Sequence, residues 1–155
     1  MPAVPFEDLE LRDGVFYLDT EMPFTGMAEE FYESGRLKSR TEFREGKPHG
    51  VSLGYYANGN LQVREHFRDG VSHGVRTKWF EMGGKESEGD IVDGSFDGQF
   101  RKWDESGQLV VEMTLKSGVP HGLSRSWYAN GTLKAEVEML DGREVQRRDF
   151  PSNEG

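Results

Sequence analysis

The chain has no cysteine, so disulfides, thiolate metal sites and cysteine nucleophiles are excluded. Cations are scarce beside anions: 19 Lys and Arg against 28 Asp and Glu leave a formal charge of −9. No Lys/Arg cluster is there to neutralise phosphates, so nucleic acid is not an expected partner. Attraction to an anionic membrane surface is disfavoured for the same reason. Hydrophobic residues make up only 34% of the sequence. That is little for one compact core, but it suffices for an array in which each unit buries its apolar stripe against its neighbours. Long apolar runs are also missing; nothing approaches the ~20 residues that span a bilayer. The first residues, MPAVPFEDLELRDG, carry neither a basic nor an apolar segment. No secretory signal is expected, and a cytoplasmic location is.

Glycine, by contrast, is plentiful and periodic. A spacing of 24 residues links Gly26, Gly50, Gly74, Gly98 and Gly122, then Gly35, Gly59, Gly83, Gly107 and Gly131, then Gly46, Gly70, Gly94, Gly118 and Gly142. These are fifteen of the twenty glycines, and such a period marks an array of one supersecondary unit. Three regions follow: residues 1–25 as a leader and capping strand, 26–142 as five repeats, and 143–155 as a frayed tail. Within the leader, Val15-Phe16-Tyr17-Leu18 reads as a strand after the turn Asp13-Gly14.

Each copy holds two strand-like runs. In the last copy the second run places Leu133, Ala135, Val137 and Met139 on one face and Lys134, Glu136 and Glu138 on the other, the alternation of a half-buried strand. The residue before the intervening glycine is Ser34, Asn58, Met82, Ser106 or Asn130. A two-residue type I′ turn needs φ > 0 there, which suits methionine and serine poorly. A three-residue loop with only the glycine left-handed is therefore expected, so that Tyr128 faces Thr132 and Trp127 faces Leu133. Copies connect through 46–50, 70–74, 94–98 and 118–122, where glycines at both ends read as tight turns. These connectors are too short for a crossover helix, so neighbouring strands should be antiparallel. The fold expected is all-β: five tandem 24-residue β-hairpin repeats.

This register pairs the rings Phe31, Tyr55, Trp103 and Trp127 with Leu37, Leu61, Leu109 and Leu133 as a core ladder. The next position, Tyr32, Tyr56, Phe80, Asp104 and Tyr128, then turns to the opposite face. There it is expected to join Arg40, Arg64, Glu88, Glu112 and Glu136. An aromatic stripe on a charged face is the most partner-like feature of the sequence. Tyr32, Tyr56, Phe80 and Tyr128, with those five charged residues, are the candidate partner-binding set. The same rings could equally cover the second side of a curled sheet.

His49, His73 and His121 recur at one position, with Asp97 interrupting the series. Equivalent residues of adjacent copies lie two strands apart, roughly 9–10 Å, too far for two imidazoles to share a zinc ion. Hydrogen bonding within turns is the expected role, and neither metal nor cofactor is expected. No glycine run has the form of a phosphate loop, and no serine sits in a nucleophile elbow. The periodic carboxylates read as a solvated face, and the chain as a non-enzyme.

The module can be written His-Gly, about five residues, two aromatics, Asn-Gly-x-Leu, then an apolar alternation. Tyr-Tyr-Ala-Asn-Gly-Asn-Leu at 55–61 and Trp-Tyr-Ala-Asn-Gly-Thr-Leu at 127–133 carry it best. This resembles the MORN-repeat variant (membrane occupation and recognition nexus) of bacterial proteins labelled antitoxin or immunity components. Pro-Phe-Thr-Gly at 23–26 resembles the usual opening of such arrays, while 82–85 and 103–104 depart from the pattern. The resemblance implies an elongated, twisted antiparallel sheet and a protein-binding role. Neutralisation of a basic toxin is one form of that role. The alternative it implies is a scaffold or membrane-associated structural protein.

Overall fold

The computed structural model describes residues 2–19 and 21–152. It is all-β apart from one 3-10 turn at Phe6–Asp8, as the alternation predicts. The chain forms two compact units: the residues up to Gly74 with Glu81–Gly83, and Val75–Phe80 with the chain from Gly84 onward.

The first unit contains β1 (Val4–Pro5), β2 (Glu10–Arg12), β3 (Val15–Tyr17), β4 (Gly26–Phe31), β5 (Leu37–Arg44), β6 (Lys47–Tyr55), β7 (Leu61–Arg68) and β8 (Val71–Ser72). Strands β1-β4-β5-β6-β7 lie side by side, β8 pairs with β7, and β2 and β3 make a separate hairpin. All pair antiparallel except β1, which runs parallel to β4. The leader packs against the first hairpin of this unit. Its Phe16 and Phe24 close on Phe43 with ring centroids 5.4 and 5.8 Å away, and Phe6 stands behind them. Ala28 is buried in the same cluster.

The second unit contains β9 (Gly74–Trp79), β10 (Lys85–Val92), β11 (Ser95–Trp103), β12 (Leu109–Lys116), β13 (Val119–Pro120), β14 (Gly122–Trp127), β15 (Leu133–Leu140) and β16 (Arg143–Asp149). Their order is β9-β10-β11-β12-β14-β15-β16, with β13 beside β12. Its buried side chains are Thr77, Ile91, Leu115 and Ala135.

The hairpin register matches the expectation. Phe31↔Leu37, Tyr55↔Leu61, Trp103↔Leu109 and Trp127↔Leu133 are direct partners. Each loop closes on Tyr128 N–H to Thr132 C=O (2.8 Å) or its equivalent. Among the residues before the loop glycine none has positive φ, whereas the glycines lie at 87–100°. Asparagine is favoured there for its side chain: Asn130 Oδ1 accepts the backbone N–H of Thr132 (3.0 Å) and Asn58 Oδ1 that of Asn60 (2.9 Å).

Four expectations need correction. The connectors 46–50, 70–74, 94–98 and 118–122 are not the turns. The turns are two-residue: Glu45-Gly46, Asp69-Gly70, Asp93-Gly94, Ser117-Gly118 and Asp141-Gly142, with φ of 47–50° and then 77–87°, the type I′ signature. The chain then re-enters a strand at once, and Gly50 at φ 99° marks a bulge where pairing jumps from Phe43↔Pro48 to Thr41↔Ser52. Secondly, Arg143–Asp149 is no frayed tail but a strand paired with β15; residues 153–155 of that tail lie outside the described residues. Thirdly, the paired rings do not form the closed core: Phe31 is 53% exposed and the others half-buried. A one-residue bulge follows each leucine, with Lys134 left over between Trp127↔Leu133 and Ser126↔Ala135. It shifts the alternation, so burial concentrates further along the strands at Phe43, Ile91 and Leu115. Fourthly, Asp97 does not break the histidine series but substitutes for it.

That last point follows from the turns. At Glu45, Asp69 and Ser117 the backbone N–H of the first turn residue is held by a side chain twenty positions earlier. His49 Nδ1 accepts from Asp69 (3.1 Å), Asp97 Oδ2 from Ser117 (3.1 Å) and Thr25 Oγ1 from Glu45 (2.9 Å). The glycine N–H beside it donates to the preceding copy, as Gly70 does to Pro48 (2.8 Å) and Gly118 to Phe96 (2.7 Å). Histidine stands opposite an acidic turn residue; where the clamp is itself aspartate, the turn residue is Ser117. His49→Ala should therefore lower stability by about 1 kcal/mol, the usual net worth of one hydrogen bond. His49→Thr should recover part of that and His49→Asp none, because its carboxylate would meet Asp69. Urea midpoints of the three variants check this ordering.

Candidate functional site

The five charged candidates fall on equivalent positions of successive strands. Each sits opposite a residue of the neighbouring strand, so they line up as a row across each unit. In the first unit the row reads Glu29↔Arg40↔Leu53↔Arg64. In the second it reads Glu88↔Arg101↔Glu112↔Arg125↔Glu136↔Arg148. Charge alternates at every step of the second row. The carboxylates are close to their partners: Arg40 Nη2 to Glu29 Oε2 3.2 Å, Arg101 Nε to Glu112 Oε2 2.8 Å and Arg125 Nε to Glu136 Oε2 3.5 Å. Glu88 Oε2 accepts from Thr77 Oγ1 (2.9 Å) and Lys85 Nζ (3.0 Å).

Arg40 and Arg64 are exposed, and the three glutamates half-buried. Exposed pairs of this kind contribute only about 0–1 kcal/mol each. The row is better understood as a pre-aligned set of charges whose mutual pairing limits what a partner gains from any one of them. Arg101, Arg125 and Arg148 belong to it as much as the glutamates do. The sequence reading missed them because they lie on first strands and on the presumed tail.

The aromatic candidates stand at the hairpin ends, Tyr32 and Tyr56 in the first unit and Phe80 and Tyr128 in the second, three residues along the strand from the charge rows, roughly 10 Å. Tyr32, Tyr56, Phe80 and Tyr128 are all half-buried. Lys38 Nζ lies 5.7 Å from the Tyr32 ring centre and Lys134 Nζ 5.7 Å from that of Tyr128. Both lysines are the extra residues of the hairpin bulges, so the bulge is what brings an ammonium over each ring. The hydroxyl of Tyr32 donates to the carbonyl of Tyr55, and that of Tyr128 to the carbonyl of Phe150 (2.8 Å). These tyrosines thus staple a hairpin end to the next strand while leaving part of the ring accessible.

Asp104 stands at this aromatic position in the fourth copy and performs a different task. Its Oδ1 accepts from the Ser106 hydroxyl (2.6 Å) and from the backbone N–H groups of Ser106 and Gln108 (3.0 Å each). The Ser106 hydroxyl, followed by these N–H groups, holds its carboxyl below the usual range. It closes its own loop and interrupts the aromatic series between Phe80 and Tyr128.

His49 is spent on its turn, and His121 stands at the same place with Nδ1 3.6 Å from Asp141 Oδ1. Among the described residues no three His, Cys, Asp or Glu side chains are grouped to hold a metal ion, and no helix is long and apolar enough to cross a membrane.

Three segments of the chain, residues 48–69, 96–117 and 120–141, match the family model of the MORN repeat variant. The matched frame begins just after one type I′ turn and ends on the first residue of the next, so it encloses one hairpin. Members of that family are interaction repeats for proteins and membranes, and it is not an enzyme family. No curated protein gives a significant match to the chain.

Proposed function

We propose that this chain is a non-catalytic protein-binding module whose partner is a basic protein. In the more specific form it is an antitoxin or immunity protein that covers a basic toxin. The observation that carries this reading is the repetition in register. Equivalent charged and aromatic side chains recur on successive strands within each unit, which builds a patterned surface suited to a macromolecule rather than to a small substrate. The charge of −9 would speed encounter with a basic surface, and the effect would weaken with salt. Tyr32, Tyr56, Phe80 and Tyr128 supply the aromatic contacts. Arg40, Arg64, Glu88, Glu112 and Glu136, exchanging their internal partners for those of the bound protein, supply orientation.

The test is retention of proteins from the host lysate on the immobilised chain, followed by the Tyr56→Ala, Tyr128→Ala variant. One basic protein should be held, released by moderate salt, and bound about thirtyfold less by the variant, as expected for two aromatic contacts of about 1 kcal/mol each. Circular dichroism must show the variant folded. Retention unchanged by the substitutions would remove the tyrosines from the interface. Flotation of the chain with anionic vesicles, with no protein retained, would favour the membrane-associated scaffold instead.

A further inference from the structure

The face opposite the charge row carries a feature confined to the third and fourth copies. Adjacent residues of a strand point to opposite sides, so Phe100, next to Arg101 of the row, faces away from it. At the position of Phe100 the second and fifth copies have Ser52 and Ser124, and two residues on they have Gly54 and Ser126. The third and fourth copies have instead Arg76 with Lys78, and Phe100 with Lys102. Phe96 likewise stands where Pro48 and Pro120 do.

These changes fit one another. Phe96 and Phe100 pack edge to face, 5.1 Å between centroids at 73°. Both lie over Gly89, where an added Cβ would come within 2.8 Å of each ring. Gly89 has no left-handed φ to explain it; what it provides is room for the rings. The Arg76 guanidinium carbon is 5.6 Å from the centre of Phe96, in cation–π range. Arg76, Lys78, Lys102, Phe96, Phe100 and Glu86 surround a cleft of about 230 Å³. Three cations and one carboxylate thus converge on an aromatic floor in a chain that is strongly acidic overall.

We infer that this cleft binds an acidic peptide segment of a partner protein, its carboxylates on Arg76, Lys78 and Lys102 and an apolar side chain against Phe96 and Phe100. Aromatic rings among cations would also suit single-stranded nucleic acid. The charge argues for the peptide: three cations are too few to offset a long phosphate backbone against an overall charge of −9. The inference is independent of the charge row offered to the proposed basic partner, which lies on the other face.

The probe is a fluorescein-labelled Glu-Glu-Leu-Leu-Glu-Glu peptide, followed by anisotropy on the full chain. Binding should be seen with the native protein and weaken about tenfold or more in Lys78→Glu, Lys102→Glu, since both lysines are at the solvent-facing rim. The control Lys47→Glu, Lys116→Glu makes the same charge change at other exposed positions and should shift affinity less than about twofold. Phe100→Leu, which keeps an apolar side chain over Gly89, should weaken binding while circular dichroism stays unchanged. The inference is overturned if the peptide does not bind, if the control weakens it equally, or if a ten-residue oligothymidylate binds more tightly through the same lysines.

Discussion

Phe43→Ala is expected to lower the unfolding free energy of this protein by about 3–5 kcal/mol. The ring is 5% exposed and touches three other phenylalanines, with centroids 5.4 Å to Phe16, 5.8 Å to Phe24 and 6.3 Å to Phe6. All three belong to the leader, residues 1–25. Removing the ring therefore leaves a cavity that the first hairpin cannot collapse into without also releasing its cap. The loss is large against the roughly 5–15 kcal/mol that holds a typical domain together. Phe43→Leu should cost far less, about 1 kcal/mol, because Ile91 and Leu115 fill the same repeat position and are equally buried. Urea unfolding followed by circular dichroism measures both. A loss below about 1 kcal/mol for the alanine variant would mean that the phenylalanine cluster is not a stabilising core.

What could be read in advance was what is encoded locally. Residues within one hairpin fix its register. Leu133, Ala135, Val137 and Met139 alternate, Gly131 must take positive φ, and Met82 rules out the two-residue turn at that place. These constraints act over a dozen residues and leave one solution. The turns between copies escaped because Glu45, Asp69 and Ser117 adopt positive φ without being glycine. What permits this is a clamp twenty residues away, the N–H bond to Thr25, His49 or Asp97. Strand Arg143–Asp149 is exposed along its whole length, so it has no apolar alternation to betray it. It forms because the turn at Asp141-Gly142 returns the chain along β15. The positions of the candidate charges were legible as one repeat column, but their arginine partners on adjacent strands were not. The tyrosine column was legible too, whereas its hydroxyl bonds to Tyr55 and Phe150 depend on where the next strand ends.

Substituting alanine at two equivalent glycines separates turn strain from docking of the cap. Gly46 and Gly70 occupy the second position of successive type I′ turns, at φ 77° and 84°. Alanine there should cost about 1–2 kcal/mol for the left-handed backbone alone. At Gly70 that is the whole effect, because the nearest atoms to a new methyl are carbons of the Lys47 side chain at 3.6–3.8 Å. At Gly46 the methyl would run into Val15 Cγ1 and sit 2.8 Å from the carbonyl oxygen of Phe16. This glycine also binds the leader on both sides, donating to Phe24 C=O (2.7 Å) and accepting from Phe16 N–H (2.8 Å). Backbone cannot step aside as a side chain can, so Gly46→Ala should cost roughly 2–5 kcal/mol in total and free the leader from the first hairpin. Amide hydrogen exchange at Phe16 and protease cleavage within residues 2–19 report that release, and neither should change in Gly70→Ala. Equal losses at the two sites, with Phe16 still protected, would show that the cap is held by its phenylalanines alone and that the close approach at Gly46 contributes nothing to it.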